Sequence, residues 1–414
     1  MLIKGDLNKE KENSISFFVI YAALTSAVYI LPALIFRVPY VIAACLMLAS
    51  LVIIMFKDSR YMNYSILILF TTLLLFFSNM LFNQYTTVAA INDAVRNVRF
   101  FLPVLWGCFA LKYCNSKQQK VLLVLLLLII GFVFINTIIA LEEDPWIARL
   151  LAEDKATSSK EINAYRLRNV GGYSFSYMMG IVTLVFSYLA VKVKPVFAKI
   201  VCTIATVLCF YYIIQTMYTT LLLLCSIGVL LILFFNIKSR AWRGVVLGVF
   251  VLLWFSLSSL FGYLSDVFGA DSLLSTKFSQ MQMALTGEGI EALGSRPMLM
   301  GKAVEHWLSH PIFGAYSDNH SHSLVFEYLQ QNGLVGLGIW VAAFAMSWKL
   351  IYNTLKEHNI KTMLFNTCMG YLFVLSIFND TRYTFEITIA AFFIVPLASA
   401  VFCKKEAKVE NENV

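Results

Sequence analysis

A chain of 414 residues with 59% hydrophobic and only 14% charged side chains, at a mean hydropathy of +0.75, has too little polar surface for a water-soluble fold. Its 32 basic and 24 acidic residues leave a net charge of +8, but no nucleic-acid motif accompanies that excess. Composition therefore excludes a soluble enzyme and a nucleic-acid-binding protein, and predicts an all-α polytopic membrane protein forming a single integral membrane domain over 1–414.

Apolar stretches recur near 16–36, 38–56, 62–83, 93–111, 121–141, 173–191, 200–216, 218–236, 244–263, 328–348, 362–379 and 385–403. Nearly all approach the ~20 residues a helix needs to cross the hydrocarbon, so about twelve spans are expected. The first follows thirteen mostly polar residues and no small-residue cleavage site follows it, which predicts an uncleaved helix with a cytoplasmic N-terminus. Alternate connections carry Lys57 and Arg60, then Lys112, Lys117 and Lys120, then Lys192, Lys194 and Lys199. Lys238, Arg240 and Arg243 follow, then Lys349, Lys356 and Lys361; both tails are basic as well. In all, 20 of the 32 basic residues fall on one side and 16 of the 24 acidic residues on the other. Cytoplasmic loops carry the excess of Lys and Arg, so both termini are expected in the cytoplasm of a multi-pass protein.

All eight cysteines sit within the apolar segments or at their cytoplasmic ends, which implies no disulfide framework. No Cys/His spacing suits zinc and no glycine-rich loop suits a nucleotide, so neither a metal nor a cofactor is expected. Asp318, Glu327 and Glu305 lie close in sequence to histidines, and a divalent ion held by them is left open.

Two connections on the expected outer side are long, 142–172 and 264–327, and long loops in compact proteins usually carry function. The first begins acidic and ends with Arg166 and Arg168 before Gly171 and Gly172, with room for a short amphipathic helix. The second reads as helical over GSRPMLMGKAVEHWLSHP: Ser295 suits a cap, Pro297 the first turn, and Pro311 with Gly314 the stop. Its apolar face, Met300, Val304, Trp307 and Leu308, is expected to pack on the bundle or the lipid interface.

Asp93, Arg96 and Arg99 are spaced three apart in the fourth segment and share one helical face. Ionisable groups within a span are costly and usually face an internal cavity. Three of the five histidines, His310, His320 and His322, cluster within 309–336.

The order of elements from GSRP, with Arg296, through HPIFG (His310 to Gly314), His322, Gly333 and Gly336 resembles the O-antigen ligase and polymerase superfamily of bacterial envelope proteins. The likeness is strongest over about 290–340, and RNVGGYSFSYMMGIVTLV looks like the loop-to-helix junction of Wzy-type repeat-unit polymerases. Two departures stand out. Ser323 follows His322 where the family usually has Asn, with His320 two residues earlier, and Met217 stands where the ligase branch often has Arg.

The resemblance implies a metal-independent glycosyltransferase of the bacterial inner membrane. It would polymerise polyprenyl-diphosphate-linked oligosaccharides into O-antigen or capsule on the extracytoplasmic face. Membrane lipids would surround it, a chain-length regulator and a flippase would be candidate partners, and no nucleic acid would bind. His322 is then the expected general base and Arg296 its catalytic partner. Arg166, Arg168, Arg96, Arg99 and Arg382 are expected to hold diphosphate or glycan, with His320 as a further substrate contact. Arg suits a diphosphate because its planar fork stays charged and bonds oxygens in pairs; His suits a hydroxyl because its pKa lies near neutrality. Plain alternatives stand beside these roles: His322 and His320 as interfacial or structural groups, Arg296 paired with Glu291, Arg166 and Arg168 as ordinary loop charges. Rival functions are an O-antigen ligase, which shares the site logic, and a lipid-linked oligosaccharide flippase, which would place its ionisable groups nearer the midplane.

Overall fold

The computed structural model describes residues 20–37, 45, 49, 52–54, 59–81, 86–144, 147–151, 160–216, 218–237, 239–269, 273–286, 296–315, 317 and 320–403. Every regular element among them is helical. In chain order they are α1 (Ile20–Ile30), α2 (Pro32–Arg37), α3 (Ser59–Leu81), α4 (Thr87–Tyr113), α5 (Ser116–Glu143), α6 (Ile147–Leu150) and α7 (Lys160–Leu167). There follow α8 (Tyr173–Lys192), α9 (Val196–Thr216), α10 (Thr219–Asn236), α11 (Arg240–Val267), α12 (Leu273–Thr286) and α13 (Arg296–Ser309). The chain closes with α14 (Leu324–Glu357), α15 (Met363–Phe378) and α16 (Phe385–Phe402).

Among the described residues seven helices, α3, α4, α5, α8, α9, α14 and α16, are long and apolar enough to cross a membrane, and α1, α10 and α15 are shorter apolar helices. By length and composition this is a multi-pass membrane protein. Among the described residues those criteria support seven of the about twelve spans expected. The expected 244–263 segment lies within α11, while 38–56 falls largely outside the described residues, as do Met217, Glu291, Ser295 and Asp318.

α5 shows why these sequences become lipid-facing helices. Asn115 caps it reciprocally with Gln118: each side chain accepts the other's backbone N–H at 2.9 Å. Leu122, Leu126, Ile130, Val133 and Thr137 then recur at helical spacing and are buried. The opposite face, Val124, Leu128, Phe132 and Ile135, is 51–65% exposed yet wholly apolar. A helix apolar all round with one face uncovered belongs in hydrocarbon, where its backbone is satisfied internally. α9 is still more peripheral, with 17% of its apolar window buried, against 72% for α4 and 78% for α8 and α16. The last three form the centre, where Trp106 of α4 meets Phe385 and Phe393 of α16 edge-on at 6.1 and 5.9 Å.

Both long connections fold as short helices. The first holds α6 and α7, and Asn169, at φ 59°, turns its side chain back to accept the N–H of Ala33 in α2 at 3.0 Å. In the second, α12 returns along α11, with Phe278 stacked between Phe261 and Phe268, and α13 follows over the span the sequence predicts.

Candidate functional site

The HPIFG turn has a structural task. α14 is broken at Gly333, whose φ of 63° and ψ of −161° interrupt the helix. Backbone groups freed at the break are taken up by the turn: Leu334 N–H donates to Pro311 O at 2.9 Å, Val335 N–H to Ile312 O at 3.1 Å, and Ala315 N–H to Gln330 O at 3.1 Å. Gly314, at φ 69°, presses against the same break; a Cβ there would lie 2.4 Å from the Gln331 carbonyl carbon, and one on Gly333 2.3 Å from Ile312 O. Only glycine satisfies both conditions. The first part of α14, from Leu324 to Asn332, is thereby held as a separate short helix, capped by Ser323, whose hydroxyl accepts the N–H of Phe326 at 3.4 Å and donates to Ile377 O at 2.5 Å. Ser is among the residues that serve well as helix caps.

That short helix presents Glu327 to the preceding loop. Its carboxylate is 1% exposed and accepts from His320 Nδ1 at 2.8 Å, Ser321 N–H at 2.9 Å, the Ser321 hydroxyl at 3.0 Å and Gln331 Nε2 at 2.7 Å. Arg382 lies 3.5 Å away. Because a carboxylate only accepts, Nδ1 of His320 carries the proton and Nε2 is the basic nitrogen. The hydrogen bond to Glu327 raises the His320 pKa above its usual value, against a smaller opposing effect of burial. His320 itself is 63% exposed.

Arg382 sits in a 3-10 turn, Thr381–Tyr383, between α15 and α16. Its guanidinium is 8% exposed and bonds Asp380 through Nε at 3.0 Å and Nη2 at 2.7 Å, bonds Gln331 Oε1 at 3.3 Å, and lies 5.5 Å from the Tyr328 ring centroid. The fork is committed to internal acceptors, so it fixes Glu327 and Gln331 in place.

Beside this cluster a polar ladder joins three helices. Asn332 of α14 donates to Asn79 of α3 at 2.6 Å, Asn79 lies 3.4 Å from Asp93 of α4, and Asp93 accepts Arg96 at 2.6 Å. Asn97 donates to Thr72 at 2.8 Å. Arg96, Asp93 and Arg382 border one narrow hollow whose inner wall is Phe100, Tyr328 and Trp340. It has room for about one water-sized group. One turn further along α4, the Arg99 guanidinium lies over the Tyr29 ring at 5.2 Å and the Phe385 ring at 5.5 Å. Among the described residues it has no carboxylate within ion-pair distance, and its buried Nε has no hydrogen-bond partner. Glu386 acts on it electrostatically from further off.

The structure thus brings His320, Arg382 and Arg96 to one neighbourhood, with Arg99 adjoining it on α4. His322 is exposed and adopts φ 56°, and neither it nor His320 is among the residues bordering the hollow. Arg296 opens α13, and its side chain lies outside the described residues. Arg166 is half-buried in the last turn of α7. Arg168 forms a two-pronged ion pair with Glu143 at 2.6 and 2.8 Å, with both side chains 46% exposed, so it acts as a loop-to-helix tie.

Sequence reasoning gave Glu327 no role beyond a neighbour of histidines and passed over Asp380, Gln331, Asn332, Asn79 and Trp340. One signal was available. Gln330, Gln331 and Asn332 make a run of three amides inside an apolar segment, where polar groups mark a site. No family model and no curated protein matches this chain.

Proposed function

We propose that this protein is a membrane glycosyltransferase that extends a surface polysaccharide by joining polyprenyl-diphosphate-linked oligosaccharides, working at the end of the bundle where α14 and α16 begin and the charge pattern expects the outside. One observation carries the reading. An oriented imidazole, His320 on Glu327, shares its carboxylate with an arginine that borders a hollow also lined by Arg96, with Arg99, which among the described residues has no carboxylate within ion-pair distance, one turn away.

In this reading a sugar hydroxyl of the acceptor attacks the anomeric carbon of the donor glycan. Its proton passes to Nε2 of His320, the bond from the anomeric carbon to the diphosphate oxygen breaks, and the polyprenyl diphosphate departs with the electron pair. Glu327 stabilises the imidazolium formed, as a buried carboxylate does for a general base. Arg99, with Arg296 from the start of α13, receives the diphosphate, while Arg96 stays paired with Asp93; a guanidinium already placed between aromatic rings in a low-dielectric site needs no reorganisation when charge develops. His320 is taken as the base because its ring is held on a buried carboxylate.

The test is deletion of the gene followed by gel analysis of surface glycans. A repeat-unit polymerase leaves single units on the acceptor. Bare acceptor with accumulating lipid-linked polymer would instead mark a ligase, units stranded inside would mark a flippase, and an unchanged ladder would end the proposal.

A further inference from the structure

The hollow bordered by Arg96 and Arg382 has an inner end that neither the base nor the diphosphate ligands use. Trp340, about two turns beyond the break at Gly333, is 1% exposed, and its indole N–H has no hydrogen-bond partner. A buried donor left unmade is costly. It is also set in a built wall: Phe100 lies 6.0 Å and Tyr328 6.3 Å from the Trp340 ring, centroid to centroid. Facing the same space are Asp93 and the amide ladder of Asn79 and Asn332.

Charge decides what belongs there. Arg96 is neutralised by Asp93, and Arg382 by Asp380 with Glu327 close by, so the surroundings offer a phosphate no surplus of positive charge. An uncharged oxygen that both accepts and donates suits them better, and the space admits one such group, not a sugar ring.

We propose that this inner end is a hydroxyl subsite for the acceptor sugar. Trp340 Nε1–H donates to one hydroxyl or hydroxymethyl oxygen, that hydroxyl donates to Asp93, and the ring it belongs to rests outside the hollow. The subsite rests on the glycosyltransferase reading and names its acceptor determinant: a sugar with one projecting hydroxyl free. An indole N–H, side-chain amides and a carboxylate around one small space are the chemistry that recognises a single uncharged hydroxyl, which can accept from one and donate to another.

The test uses the full-length protein purified in detergent and a panel of methyl glycosides (glucoside, galactoside, mannoside, rhamnoside and N-acetylglucosaminide), with binding followed by saturation-transfer NMR. At least one glycoside should bind the unaltered protein. Trp340→Phe, which keeps the ring wall and removes the N–H, should weaken that binding about fivefold to tenfold, and Asp93→Asn should weaken it too. Trp307→Phe on α13, whose indole N–H bonds Pro311 O, should leave it unchanged and shows that replacing an indole is tolerated. Equal binding by Trp340→Phe and Asp93→Asn, or no glycoside binding to the unaltered protein, overturns the subsite. Should Trp340→Phe not be recovered, Asp93→Asn alone decides. Failure of the parent reading looks different: glycosides would bind in a Trp340-dependent way while gene deletion left the surface glycan ladder unchanged.

Discussion

Replacing His320 and Glu327 separately distinguishes a working imidazole from a structural one. His320 is 63% exposed and Glu327 is 1% exposed, so their shared hydrogen bond contributes unequally to the two variants. An exposed ion pair is worth about 0–1 kcal/mol, so His320→Ala should lower stability by no more than about 1 kcal/mol. Glu327→Ala strands Gln331 Nε2 and the Ser321 donors and removes charge beside Arg382. Breaking a buried charge network of that kind costs about 3–5 kcal/mol, a large part of the ~5–15 kcal/mol that holds a domain together. Activity should rank the other way per folded molecule: a lost general base costs about 10²- to 10⁴-fold. The assay is glycan extension in isolated membranes, normalised to folded protein, beside thermal unfolding in detergent. If His320→Ala extends glycan at the normal rate, or is destabilised as much as Glu327→Ala, the reasoning about this pair is wrong.

Three more outcomes follow from the geometry. Because the Glu327 carboxylate raises the His320 pKa, the imidazole's share of the stability is complete below about pH 6.5, the unfolded value, and is lost as pH rises through the folded one. Turnover needs the neutral imidazole, so its acid limb should lie above about pH 6.5 and move down in Glu327→Gln; an unmoved limb contradicts the assignment. Gly333→Ala should abolish recovery of monodisperse protein on size exclusion, since its Cβ would lie 2.3 Å from Ile312 O at φ 63°, whereas Gly338→Ala in the same helix meets nothing within 4 Å and should be tolerated. Arg99→Ala should raise the KM for the lipid-linked donor at least tenfold, with Arg99→Lys rescuing poorly because the planar fork that lies over Tyr29 and Phe385 is lost; equal KM values would remove Arg99 from the diphosphate site.

What the sequence showed and what it concealed divide along a physical line. Helical spans were legible because apolar runs are local, and the Pro311–Gly314 stop of α13 was legible because turn residues act within a few positions. Gly314 and Gly333 stood out as a spacing, yet their purpose needed the structure: two positive-φ glycines 19 residues apart meet backbone to backbone. Arg96 and Arg382 were singled out as rare charges near apolar segments, and both border the hollow. Their counter-charges were harder to see. Asp380 lies two residues from Arg382, but nothing local shows that Glu327 also faces it from 55 positions away. Asn79 and Asn332, 253 residues apart, and the indole N–H of Trp340 belong to the class of contact that only packing creates. His320 and His322 differ by two positions in sequence, and the pairing of His320 with the Glu327 carboxylate on α14 appears only in the structure.

The most direct test of the account is turnover by the purified protein in liposomes supplied with radiolabelled lipid-linked repeat units and no other protein. The account predicts longer lipid-linked glycan, one polyprenyl diphosphate released for each new linkage, and neither product from His320→Ala. Lipid-linked units that stay single in the presence of the intact protein, or that merely change leaflet, would contradict it.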